Sequence, residues 1–169
     1  MDLYDAIRKR RSVRQFAPSE IGMEALERIA EAGRLAPSGC NVQNRDFVIV
    51  RDRQTLTELH DKLQPDFKNA AAAIVVVMDE GATRYGSYWL EDGSAAVQNM
   101  LLAIVAEGYD SVWIGGTLRP HEAWVRKLLG IPAERRIFAA LPIGKPARDG
   151  DSAPKKPLKD MLHWDRFRA

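Results

Sequence analysis

Apolar residues fall in two rhythms along this chain. Between Gly22 and Ala36, Leu26, Ile29, Ala30 and Gly33 recur at helical spacing while Glu24, Glu27, Arg28 and Glu31 take the opposite face, which predicts an amphipathic helix stopped by Pro37. Thr55, Leu56, Leu59 and Leu63 predict another, ended before Pro65. Residues 91–107 predict the longest helix. Its Ala95, Ala96, Val97, Met100, Leu101, Leu102, Ile104 and Val105 cover most of the circumference, so it should lie deep in the protein with Gly108 as its left-handed cap. Shorter helices are expected at residues 2–9, from Leu3, Tyr4 and Ile7, and from about Pro120 to Leu129. In the latter, proline suits the first turn and Gly130 the end.

The second rhythm is that of strands. Phe47–Val50, Ser111–Ile114 and Arg136–Ile143 are short β-prone runs, and the unbroken Ile74–Met78 run suits a central strand buried on both faces. The small residues Gly93, Ser94, Ala95 and Ala96 would let another helix approach closely, either within the chain or across a dimer seam. After Gly144 the prolines at 146, 154 and 157 predict an extended tail with no core of its own. Helices and strands alternate too irregularly for a string of βαβ crossovers, which places the chain in the α+β class.

A length of 169 residues fits one domain, residues 1–169, able to bury roughly two-thirds of its unfolded surface. A net charge of +2 gives no ground for nucleic-acid or membrane binding. The acidic Met1–Asp5 start lacks the apolar core and cleavage site of a secretory signal, and the longest apolar run, Ala70–Met78, is far short of the ~20 residues of a membrane span. Cys40 is the lone cysteine, as suits a reducing cytoplasm, and the three histidines stand apart from any metal-ligand spacing. Neither a G-x-G-x-x-G nor a G-x-x-x-x-G-K-[ST] loop is present, so a bound nucleotide would need another device.

Arg10-Arg11-Ser12-Val13-Arg14 supplies one. It packs three guanidinium groups and a hydroxyl into five residues, and arginine forks match phosphate oxygens bidentately. A solvated basic patch has the same composition. In Pro37-Ser38-Gly39-Cys40-Asn41-Val42-Gln43, Ser38 is a donor, and Asn41 and Gln43 each pair a donor with an acceptor, as a ring alternating C=O and N–H requires. A loop whose side chains satisfy their own backbone would read the same way. Trp113-Ile114-Gly115-Gly116 can bring bare backbone N–H groups to a flat ring, or form an ordinary turn. Pro154-Lys155-Lys156-Pro157-Leu158 places basic residues in the tail. Cys40 is expected to be a packed small side chain, and His121 a surface or capping residue; Tyr88 and Trp89 suit either a pocket wall or, as is commoner for aromatics before a buried helix, the core.

Together, and at this separation, the Arg10–Phe16 and Pro37–Gln43 segments resemble the FMN-dependent nitroreductase family. The resemblance runs through Asp92-Gly93, Gln98-Asn99, Gly108-Tyr109-Asp110 and His163-Trp164, nearly the whole chain. It implies a three-layer α/β/α sandwich around a mostly antiparallel sheet, in a domain-swapped homodimer whose residues 145–169 form an arm packed on the partner. It also implies FMN contacts from Arg10, Arg11, Ser12 and Arg14; from Pro37, Ser38, Asn41 and Gln43; from Ile114, Gly115 and Gly116; and from Lys155, with Lys156 and Lys68 as alternatives. The implied reaction passes reducing equivalents from NAD(P)H to an electron-poor small molecule such as a nitroaromatic or quinone, in ping-pong order. It needs neither a catalytic side chain nor a metal. Two other readings stay open: a divergent flavoenzyme with another small-molecule substrate, and a non-enzymatic phosphate- or nucleic-acid-binding module. The latter lacks the aromatic interleaving such modules use. One departure stands out. The family's frequent Gln-Pro-Trp is here Gln43-Asn44-Arg45.

Overall fold

The spine of the fold is strand β3 (Ala72–Met78), in which all seven residues are buried. Side chains alternate across a strand. Ala72, Ile74, Val76 and Met78 therefore enter one core, with residues of helices α2 (Met23–Arg34) and α4 (Trp89–Ala106). Ala73, Val75 and Val77 enter another, with α3 (Arg53–Leu63) and α5 (Glu122–Leu129). Two helical layers thus sandwich one sheet. The computed structural model describes residues 1–64, 67–82, 88–150 and 153–167; the expected stop at Pro65 lies outside them.

The sheet runs β1 (Phe16–Ala17), β5 (Arg136–Pro146), β3, β2 (Arg45–Val50), with β4 (Asp110–Ser111) also on β5, and every pairing is antiparallel. The α/β/α sandwich expected above is the observed architecture. The strand expected at Ser111–Ile114 is cut short. Its register against β5 pairs Asp110 with Gly144 and Ser111 with Ile143, and Ile114 returns to Ala140 as an isolated bridge. The same register sets Val112 opposite Pro142, which has no N–H to give to the ladder. β1 is two residues long and carries no pattern that a sequence reading could detect.

Both glycine caps behave as expected. Gly108 has φ 79°; its N–H donates to Val105 at 3.0 Å and that of Tyr109 to Ile104 at 3.0 Å, the double bond of a Schellman ending. Gly130, φ 65°, closes α5 in the same way. The helix expected from Pro120 starts as a 3-10 turn, Arg119–His121, before α5. At Gly93 the small-residue run serves packing within the chain: a β-carbon there would sit 2.8 Å from the ring of Phe138.

Helix α1 (Leu3–Lys9) packs on α4 but leaves Leu3, Tyr4 and Ile7 exposed. Residues 153–167 are exposed throughout, including Leu158, Met161, Leu162, Trp164 (74%) and Phe167 (81%). So much apolar surface on a tail is a liability in a free monomer.

Candidate functional site

Asp2 caps α1 by accepting the Asp5 N–H at 3.0 Å, and Arg10 ends it, its N–H donating to Ala6 at 2.9 Å. The chain then runs beside β4: Val13 N–H donates to the Ser111 carbonyl at 2.9 Å, and Ser12 bridges Ser111. That alternation buries Val13 and leaves Ser12 and Arg14 exposed and Arg10 half-buried. Arg11 is committed elsewhere. Its guanidinium donates to the Gly150 carbonyl and borders a cleft of about 530 Å³ with Lys9, Tyr109 and Asp110. Burial raises the Asp110 carboxyl above its ordinary range, against the pull of Arg11 and Lys145.

The Pro37–Gln43 loop is conformationally strained. Cys40, Asn41 and Gln43 have φ of 52°, 55° and 52°, left-handed values that cost a non-glycine residue roughly 1–3 kcal/mol each and cluster at functional sites. Within the loop, Ser38 Oγ accepts the Gln43 N–H at 3.0 Å, and the Ser38 carbonyl accepts the Asn41 N–H at 2.9 Å. The Asn41 and Gln43 side chains stay exposed. At Gly39 the constraint is space and not φ: a β-carbon would press on Tyr88 at 3.3 Å. Its N–H donates to Asp92 Oδ1 at 2.8 Å, anchoring the loop to the first turn of α4. Pro37, Ser38, Gly39, Tyr88, Glu91 and Asp92 line a groove of about 380 Å³ there. Exposed Cys40 is not a packed side chain, contrary to expectation.

Sequence reading passed over the residues behind this loop. Arg45 donates to the Pro37 carbonyl at 3.0 Å, to the Asp92 carbonyl at 3.2 Å, and to the Ala36 carbonyl. Burial lowers its pKa, with Asp92 opposing. Asn44 is 4% exposed, and neither its amide nitrogen nor its oxygen has a hydrogen-bond partner. The sequence signal for them is the departure from Gln-Pro-Trp, but nothing in it says what the two residues touch.

Ile114 is buried, with its N–H and C=O both spent on Ala140 at 3.0 and 2.9 Å. Among the three residues expected there, bare backbone therefore falls to Gly115 and Gly116. Nothing lies within 4 Å of where a Gly116 β-carbon would be. Trp113 leans on Phe138 (centroids 5.5 Å), and Phe138 meets Trp89 edge-on at 6.1 Å, so this segment is tied to the start of α4 by a chain of ring contacts.

One chain does not bring the arginines to the loop. Gly39 is bonded to Asp92, at the start of α4, whereas Arg11 shares its cleft with Val105, near the end. The helix between them rises roughly 20 Å. Lys155 and Lys156 are exposed on the tail, and Lys68 is exposed ahead of β3. Among the described residues, no group of three His, Cys, Asp or Glu could hold a metal ion, and no helix is long and apolar enough to cross a membrane.

The model of the nitroreductase family matches residues 7–83 and 58–145. This chain belongs to the nitroreductase family. A relative from Archaeoglobus fulgidus, named for NADH dehydrogenase and NAD(P)H nitroreductase activity, is 38% identical over 166 residues, 94% of each chain. A nitroreductase-type structure from Desulfovibrio desulfuricans in complex with FMN is 33% identical, covers 99% of both chains and superposes with a TM-score of 0.85. The Vibrio harveyi NADPH:FMN oxidoreductase complexed with NAD+ is 26% identical and has a TM-score of 0.83. That match covers 99% of this chain and 78% of the other. The helical layers and antiparallel sheet described above are this family's fold, and the α+β assignment stands with it.

Proposed function

We propose that the protein is an FMN-dependent oxidoreductase that takes reducing equivalents from NAD(P)H and passes them to an electron-poor small molecule, and that it works as a homodimer. The observation that carries this reading is the separation along α4: a phosphate-type cluster and a ring-type loop stand at opposite ends of one helix. A second copy would put one chain's arginines beside the other chain's loop. The exposed arm from Ala153 to Phe167 and the exposed face of α1 supply the apolar surface for that union.

The residues fit FMN. Arg10 and Arg14 would hold the phosphate with Ser12 on the ribityl chain, and Lys155 of the arm would join them. Arg11, turned toward Gly150, acts from the edge of that site. Pro37 and Ser38 would border the ring, Asn41 and Gln43 would meet its alternating donors and acceptors, and Gly115 and Gly116 would offer N–H groups to its reactive edge, with Ile114 behind them as support. When bound, FMN supplies the hydride chemistry, which is why no side chain need act as acid or base. The protein's part is to hold, orient and exclude water. Donor and acceptor then occupy one place in turn.

Purified protein should be yellow and dimeric by light scattering. Initial rates with NAD(P)H and a quinone or nitroaromatic should give parallel lines. Intersecting lines would show a ternary complex, and a colourless protein whose melting point ignores added FMN would remove the cofactor assignment.

A further inference from the structure

We propose that Arg45 is the positioning residue that fixes the strained Ser38–Gln43 loop in its ligand-binding shape, and that Asn44 permits that shape. This rests on the reading that the loop addresses a flavin ring. The loop leaves α2 through Ala36 and Pro37 and meets α4 at Asp92, and the Arg45 guanidinium donates to a carbonyl on each of these three residues. It therefore ties the loop's entrance to the helix against which the loop rests. From the other side, Asp92 takes the Gly39 N–H, so side chains on β2 and α4 grip one short segment. A guanidinium has five donors in a fixed fork and can span three acceptors; an ammonium is a point charge. The second half of the device is backbone. Gln43 has φ 52°, and a proline at the next position would drive it toward extended conformations. Asparagine imposes no such restriction. This chain holds the loop with a left-handed Gln43 and an arginine clamp.

The test is titration of apoprotein with FMN and with riboflavin at 25 °C, read by quenching of flavin fluorescence and by visible circular dichroism. It compares wild type, Arg45→Met and Arg45→Lys, each shown to be folded by far-ultraviolet dichroism. A clamp that shapes the ring-binding loop predicts that Arg45→Met loses about tenfold in affinity for both flavins alike, with an altered visible dichroism band. Arg45→Lys should recover no more than part of the loss, and it serves as the variant of record should the methionine protein not fold. A residue that only stabilises the fold would leave both affinities unmoved in folded protein, and that result overturns the proposal. So does a loss confined to FMN, which would make Arg45 a phosphate ligand. Wild-type protein that binds neither flavin defeats the flavin reading itself, a failure distinct from unchanged affinity in the variants.

Discussion

Replacing Gly93 by alanine should destabilise the protein, although the same change in an exposed helix would stabilise it. Alanine is favoured over glycine by about 1 kcal/mol at a helical position. Here the added β-carbon would lie 2.8, 2.8 and 2.9 Å from three atoms of the Phe138 ring. That ring has little room to retreat, since Trp89 meets it edge-on at 6.1 Å and Trp113 leans on it at 5.5 Å. Overpacking a core in this way costs about 1–3 kcal/mol, and contact with three ring atoms belongs in the upper part of that range. The net loss is about 1–2 kcal/mol, or roughly 2–8 °C in Tm for a chain of this size. Apoprotein melts at one fixed protein concentration measure it, because association alone shifts Tm. Adding Phe138→Leu should recover part of the loss, a coupling that distant residues would not show. A Gly93→Ala protein as stable as wild type would refute the claim that this glycine exists for the ring.

Arg10→Ala should weaken FMN binding by about 1.5–3 kcal/mol, the scale of a hydrogen bond to a charged group, with riboflavin affinity nearly unchanged; equal losses would move Arg10 from the phosphate to the ring or the fold. Trp164→Asp, on the exposed arm, should shift the protein from dimer to monomer in light scattering without changing its far-ultraviolet dichroism. Burial pushes the Glu122 carboxyl up, but the Arg136 guanidinium at 3.0 Å and the Ile137 N–H at 2.9 Å bring it below its ordinary 4.5. A depressed carboxyl contributes stability above that value and loses it as pH falls through the folded pKa. Glu122→Gln should therefore cost about 1–3 kcal/mol at pH 7, and that cost should shrink as pH falls below 4.5 and through the folded pKa, as read by urea unfolding. A cost that does not change with pH would contradict this.

The sandwich was legible in the sequence because its strongest elements obey simple periodicities. β3 reads as an unbroken apolar run because both its faces are buried, and Gly108 and Gly130 announce the helix ends they close. What was not legible depends on partners remote in sequence. β4 is shortened by Pro142 across the ladder, β1 is two residues long, and Ile114 spends its backbone on Ala140. Composition named the polar residues of the Pro37–Gln43 loop but not its left-handed backbone, nor the anchors Arg45 and Asp92 that hold it. Nor could one sequence show that the arginine cluster and the loop stand at opposite ends of α4.

That separation makes subunit complementation the most direct test of the composite site. Arg10→Ala/Arg14→Ala damages one half of each site and Asn41→Ala/Gln43→Ala the other, and each parent dimer should bind FMN poorly. In a random mixture half the dimers are hybrids, each with one wild-type site and one doubly damaged site. Co-refolding equal amounts should therefore restore tight FMN binding to about a quarter of the wild-type sites, by mass action on a closed two-fold dimer. No recovery above the parents would show that both halves of each site come from one chain, and the account of a shared site would be wrong.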